Sequence, residues 1–213
     1  MDPVASKVGA MAAKHFGSAD SPPIVTKAPG RVNLIGGHTD YNGGLVLPIA
    51  LDLGTYIAAY PRTDHACRIY SRNMREQVGV NLQNLSPRDH WSDYVAGVAR
   101  ELQDENEVGG LDIYIYSTVP VGGGLSSSAA LEVSVSLAWE AAGSYRLEPR
   151  ERARLCQRAE NNFVGMQCGL MDQLIACTGK EGHASLIDFA DVSITPVPLP
   201  DSVRFLVCNT KRS

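Results

Sequence analysis

Apolar and polar positions alternate through Leu111-Asp112-Ile113-Tyr114-Ile115-Tyr116-Ser117, the period of a strand. Beyond a glycine-rich stretch the pattern changes, and Leu131 to Trp139 reads as a helix. Trp91, Val95, Val98 and Leu102 fall on one face at helical spacing, which predicts a helix over Trp91 to Leu102. Pro149, at a favourable first-turn position, opens another that runs to about Asn161. The first 17 residues carry helical apolar spacing and predict an amphipathic helix. Shorter apolar runs predict strands at Ile24 to Lys27, Thr55 to Tyr60, Cys67 to Ser71, Val78 to Leu82, Ala184 to Asp188, Ser193 to Val197 and Arg204 to Cys208. Charged turns separate the second, third and fourth of these, which suggests a meander. The last runs straight into Asn209-Thr210-Lys211-Arg212-Ser213, so the chain is expected to continue in a longer parent protein.

Composition narrows the possibilities. Hydrophobic content of 44% with 20% charged residues over 213 positions is that of an ordinary globular chain, and no internal repeat or low-complexity segment interrupts it. Lys and Arg number 19 against 23 Asp and Glu, a net charge of −4, so no general basic field invites nucleic acid or an anionic membrane. No apolar run approaches the roughly 20 residues that span a bilayer. The N-terminus lacks the contiguous apolar core of a signal peptide, and a cytoplasmic location is expected. Five cysteines without a CxxC pair disfavour both a disulfide framework and a zinc site, and most of them are expected to be small core residues.

The stretch between the strand at 111–117 and its following helix is Pro120 to Ala130, PVGGGLSSSAA. A strand, a glycine loop and a helix whose first turn is Ser126-Ser127-Ser128 form a receptacle for an anion. Glycine lets backbone N–H groups approach an oxygen, and the first helical turn directs unpaired N–H groups and the positive end of the dipole at it. Phosphate is the expected tenant. The spacing is neither GxxxxGK[ST] nor GxGxxG, and no lysine is present to reach a phosphate. Serine hydroxyls can instead ligate a hard cation such as Mg²⁺, or serve simply as helix caps.

Two further stretches carry chemistry. Ala28 to Leu51 mixes apolar residues with Gly, Asn and Asp, and presents Arg31, Asn33, His38, Asp40, Tyr41 and Asn42 as candidate ligand contacts. The alternative for Asp40 and Asn42 is turn hydrogen bonding, and for His38 a satisfied semi-buried ring. In Cys168 to Gly179, CGLMDQLIACTG, Asp172 and Gln173 lie among apolar residues. A carboxylate there needs a partner, unless it caps a helix.

GRVNLIGGHTDYNGG from Gly30, PVGGGLSSSAALEV from Pro120 and CGLMDQ from Cys168 together resemble the galactokinase branch of the GHMP family of small-molecule kinases. The resemblance spans Ala28 to Ser213 but only the N-terminal half of such an enzyme. It implies an α+β fold with a mixed sheet and packed helices, residues 1–200 forming the N-terminal domain and 201–213 opening a C-terminal one. The implied reaction is ATP-dependent phosphorylation of α-D-galactose at its anomeric hydroxyl, giving galactose 1-phosphate and ADP. Asp172 matches the catalytic carboxylate and Arg31 its charge-stabilising neighbour. Gly37, His38, Thr39, Asp40 and Gly169 match the sugar-contacting positions. Ser71 and the loop Gly122, Gly123, Gly124, Leu125, Ser126, Ser127 and Ser128 match the ATP site, with Ser128 and Glu160 as Mg²⁺ ligands. The sequence departs from the family at Gly37, where a glutamate is usual, and in lacking the C-terminal half with its sugar-contacting tyrosine. By itself the 213-residue chain is therefore expected to show no turnover. A kinase of another monosaccharide, or a regulator that binds galactose and ATP without turnover, is the alternative.

Overall fold

The computed structural model describes residues 2–17 and 21–208. In chain order the elements are α1 (Pro3–Phe16), β1 (Ile24–Asn33), β2 (Leu45–Val46), β3 (Pro48–Pro61), β4 (Ala66–Ser71), β5 (Glu76–Asn81) and α2 (Asp93–Leu102). They continue with β6 (Leu111–Ser117), α3 (Ser127–Gly143), α4 (Pro149–Arg158), α5 (Met171–Thr178), β7 (His183–Asp188) and β8 (Ser193–Pro198). A short 3₁₀ turn covers Asp40–Asn42, and α4 passes into a π-helical turn at Ala159–Val164. This is the α+β arrangement expected, with eight strands in one mixed sheet.

The long strand β3 is the axis of the sheet. It pairs antiparallel with β1, β6 and, at Ile49, β7. Thr55 to Tyr60 are all buried because both faces of the strand are covered. Ile57 and Ala59 pack into the main core with Val95, Val98, Val133 and Trp139 from α2 and α3. Tyr56, Ala58 and Tyr60 face the opposite way, onto Val8 and Ala12 of α1. Helix α1 is started by Asp2, whose carboxylate accepts from the Val4 N–H at 2.8 Å, and Pro3 fits the first helical position. The same Asp2 accepts from the Tyr56 hydroxyl at 2.9 Å, which ties the cap to the sheet.

The predicted meander is corrected by the topology. β6 lies between β3 and β4, and it runs parallel to β4 after the crossover through α2. The reason is burial: Leu111 to Ile115 are buried without interruption, and a strand covered on both faces belongs inside a sheet rather than at its margin. Two strands are longer than expected. β1 continues to Asn33 and β3 starts at Pro48, so the turn-forming composition between them reduces to residues 34–44. No strand forms at Arg204 to Cys208, whose apolar side chains are exposed and lack a pairing partner among the described residues. Residues 209–213 lie outside the described residues. Cys67 and Cys156 are buried, Cys168 and Cys177 half-buried and Cys208 exposed, all as free thiols, so two of the five lie fully in the core where most were expected to.

Helix α3 is buried along most of its length and turns polar groups inward. Its Glu140 forms a buried bidentate pair with Arg152 of α4, at 2.6 and 2.7 Å, and the guanidinium also donates to the Leu147 carbonyl. Both side chains are more than nine-tenths covered. Removing one partner leaves an uncompensated charge, a loss of about 3–5 kcal/mol. Arg152→Met is accordingly expected to lower the unfolding free energy by about that amount, measured by the shift of the urea denaturation midpoint at unchanged slope.

Candidate functional site

The phosphate-type loop follows β6 directly. Gly122 and Gly124 adopt φ of 71° and 69°, which glycine permits without strain. Ser126 also turns through positive φ, at 56°, a conformation that costs a residue with a Cβ about 1–3 kcal/mol. Its hydroxyl does not cap α3. It donates instead to Asp172 Oδ2 at 2.6 Å, so the strained serine joins the loop to α5.

Arg31 reaches the same carboxylate from β1. Its Nε and Nη2 donate to Oδ1 and Oδ2 of Asp172, both at 2.7 Å, and Nη1 donates to the Gly124 carbonyl at 2.7 Å. A bulge between Pro29 and Arg31 re-aims the strand there. Gly30 fits at the bulge because a Cβ would stand 2.7 Å from the Leu125 carbonyl, which accepts the Arg31 N–H. Asp172 is the second residue of α5 rather than its cap, and the partner it needs is Arg31.

Residues of the glycine loop line two cavities, Gly124 the larger and Gly122, Ser127 and Ser128 the smaller. The larger, about 780 Å³, is lined by Arg31, Asn33, Gly37, His38, Asp40, Tyr41, Gly124, Cys168, Gly169 and Asp172, among others. The smaller, about 330 Å³, is lined by Ser71, Trp91, Tyr94, Gly122, Ser127 and Ser128 with Thr55, Asn73 and Met74. Most of the residues singled out in the sequence line one cavity or the other, with exceptions. Thr39 is withdrawn from the larger cavity: its hydroxyl is engaged by the carbonyls of Gly36 and Leu45 at 2.8 Å each, and so braces the loop. Leu125 is buried in the core, Gly123 lines neither cavity, and Ser126 faces Asp172.

His38 is exposed rather than semi-buried, and its Nδ1 lies 2.7 Å from the Tyr41 hydroxyl. Asp40 rests its carboxylate directly against the α-carbon of Gly169, where any side chain would displace it. Gly37 has open space around a would-be Cβ. The sequence reading passed over Tyr94, Thr55, Asn73 and Met74 and used Trp91 only as a helix-face residue. Their common signal is a position at the open end of β3, β4 and α2 facing the glycine loop, which needs the fold to be seen.

Glu160 sits on the π-helical turn, buried behind Ser128. Burial pushes its carboxyl above the ordinary range, against hydrogen bonds from Ser128, Cys168 and Gln173 that pull it down. A carboxylate and a hydroxyl are a suitable oxygen pair for a hard cation that takes its remaining ligands from phosphate and water, as Mg²⁺ does. No group of three or more metal-ligating side chains occurs among the described residues. No helix among them is long and apolar enough to cross a membrane.

Comparison with known proteins agrees with this geometry. Residues 13–61 match the profile described as galactokinase galactose-binding signature, and residues 93–180 match the GHMP kinases N terminal domain. The chain is 46% identical over 200 residues to a galactokinase of Chloroflexus aurantiacus, covering 92% of this chain and 51% of that protein. It is 44% identical over 199 residues to one of Roseiflexus, with 92% and 50% covered. The crystal structure of Lactococcus lactis galactokinase complexed with galactose superposes with a TM-score of 0.86 at 31% identity, over 92% of this chain and 52% of that one. Methanococcus jannaschii mevalonate kinase, at 21% identity and a TM-score of 0.70 over 81% of this chain and 56% of that one, shares the fold. The chain spans about half the length of the relatives it matches.

The thiol beside the site gives a chemical check. Burial, and then the charge of Glu160, push the Cys168 thiol well above its ordinary range, and burial pushes Cys67 up to about 11 and Cys177 to about 12. Thiolate is the reactive form. Iodoacetamide at pH 7.5 is expected to label exposed Cys208 rapidly in the native protein and Cys168 at least tenfold more slowly, read by peptide mass spectrometry.

Proposed function

We propose that this chain, which belongs to the galactokinase branch of the GHMP kinases, is the N-terminal half of an ATP-dependent galactose kinase acting on the anomeric hydroxyl. The observation that carries the reading is Asp172 on the wall of the larger cavity, forked by Arg31 and bonded to Ser126 of the glycine loop, whose Gly122, Ser127 and Ser128 line the smaller. The larger cavity then takes the monosaccharide and the smaller the nucleotide. Bound there as its magnesium salt, ATP would supply the phosphoryl group and the cation would offset phosphate charge, with Ser128 and Glu160 as its protein ligands. The glycine loop from Gly122 to Ser128 offers backbone N–H groups to the phosphates at the N-terminus of α3. Ser71 and the Trp91 and Tyr94 rings wall the nucleoside end.

Asp172 acts on the sugar. Its Oδ2 already accepts from Arg31 and Ser126, whereas Oδ1 accepts from Arg31 alone. The free lone pair on Oδ1 is the one that a sugar hydroxyl engages. Held by three donors, the carboxylate contributes mainly by aligning the hydroxyl oxygen with the transferred phosphorus. Arg31, already bonded to the loop, faces the charge that spreads during transfer. His38, Asp40 and the Gly169 backbone hold the other sugar hydroxyls. Residues 1–200 form the N-terminal domain in this reading, and the stretch from Asp201 leads toward a second half. That half closes the cleft against water, so the 213-residue chain alone has no turnover. The setting is cytoplasmic.

A coupled assay of the complete protein with ATP, Mg²⁺ and a panel of monosaccharides tests the assignment, and absence of sugar-dependent ADP release with every sugar overturns it. In that assay Asp172→Asn is expected to lower kcat about a hundredfold or more, with nucleotide affinity nearly unchanged. Wild-type turnover would remove Asp172 from the chemistry.

The open space at Gly37 favours a second reading, a kinase of a monosaccharide with a bulkier substituent. A hydrogen bond to a charged group contributes about 1.5–3 kcal/mol, and about 1.4 kcal/mol is a factor of ten. Gly37→Glu is therefore expected to raise kcat/KM for galactose roughly ten- to a hundredfold and to narrow the sugar panel. A fall in galactose activity with the panel unchanged would favour the other sugar.

A further inference from the structure

We propose that Gln173 is a positioning residue that couples the two cavities, holding the Glu160 carboxylate in place beside Ser128 from the same helical turn that presents Asp172. The inference rests on the phosphoryl-transfer reading above. Successive residues of a helix point about 100° apart, so the first turn of α5 serves two directions at once. Asp172 lines the larger cavity. Gln173, fully buried, faces inward.

The Gln173 amide carries two N–H donors, and each has an acid to meet. Nε2 lies 2.6 Å from Glu160 Oε2 and 3.1 Å from Glu132 Oε2. Glu160 belongs to the π-helical turn after α4, and Glu132 to α3, the helix that the glycine loop opens. One side chain therefore ties together α5, α3 and the turn bearing Glu160. Cys168 completes the cluster, its thiol 3.5 Å from the same Glu160 oxygen. Among the described residues, Oε1 of Gln173 and Oε1 of Glu132 have no protein partner, so the amide is fixed by what it donates.

Chemistry selects glutamine for this place. Glutamate would bring a third acid with no donor, and an apolar side chain would leave Glu132 without its donor and Glu160 with only Ser128 and Cys168. A bond that only held the core together would, when lost, lower stability and depress every function alike. Positioning makes a narrower claim: the loss appears in the cation requirement of nucleotide binding, although Gln173 lies on the sugar-side helix.

The experiment uses the complete protein with Gln173→Met, Glu132→Gln and wild type. Nucleotide binding is followed by tryptophan fluorescence, since Trp91 lines the nucleotide cavity, across an Mg²⁺ titration, with a melting temperature for each variant. Gln173→Met is expected to raise the half-saturating Mg²⁺ concentration at least fivefold while ADP binding without Mg²⁺ stays within twofold. Glu132→Gln, which leaves the bond to Glu160 intact, is expected to keep its Mg²⁺ midpoint within twofold whatever its melting temperature. Should Gln173→Met fail to fold, Gln173→Asn keeps both donors on a shorter reach and is expected to shift the midpoint the same way, at least threefold. An Mg²⁺-dependent wild type with an unshifted Gln173 variant, or midpoints that merely follow melting temperature across both positions, overturns the coupling alone. Wild-type nucleotide binding that is indifferent to Mg²⁺ overturns the functional reading and the coupling with it.

Discussion

The guanidinium of Arg31 has three nitrogens committed to two acceptors that come from distant parts of the chain. Asp172 lies 141 residues away and Gly124 lies 93 away. A planar fork of this kind fixes direction as well as distance, which a lysine ammonium does not do. The contact therefore exists only if β1, the glycine loop and α5 are all in register. The bulge at Gly30 and the strained turn at Ser126 are local irregularities that bring those elements together, and the bonds formed by Arg31 and Ser126 at Asp172 offset what the irregularities cost.

Behind this junction the fold is made rigid by polar bonds as well as apolar packing. Ile57, Ile69, Ile113 and Leu102 are fully buried between sheet and helices, but they would accept several small shifts of helix against helix. Glu140 with Arg152 and Glu132 with Gln173 do not. Each pair runs from α3 to a neighbouring helix, so the helix that opens at the phosphate loop is tied in direction to α4 and α5. The bidentate Glu140–Arg152 pair in particular specifies one arrangement even where it contributes little net stability.

The strand β6, the helices α2, α3 and α4 and the glycine loop were legible because their signals are local: an alternating run, a helical stripe, a proline at a first turn. The order of strands was not, since the insertion of β6 between β3 and β4 depends on which run is covered on both faces. Arg204 to Cys208 has the composition of a strand but no neighbour to pair with among the described residues. Among site residues, Asp172 and Arg31 were found through the family motifs. Thr39 looked identical to its neighbours in that motif, and only its two carbonyl partners show that it braces the turn. Trp91 was visible as an apolar position, but its place on the wall of the smaller cavity depends on the approach of the glycine loop to the end of β4.

The two sides of the junction differ in how they are held. Asp172 is fixed by three donors and Ser126 is buried, so the acid has little freedom. Gly37, His38 and Tyr41 stand exposed on a turn supported mainly by Thr39 and by the Asn42 amide on the His38 carbonyl. On the proposed reading the first group sets which atom receives the phosphoryl group and the second sets which sugars present that atom. Substitutions in the turn leave the fork untouched. On that reading sugar preference can change on this scaffold without rebuilding the chemistry, and position 37, where a Cβ would meet no atom within 4 Å, has room for a side chain.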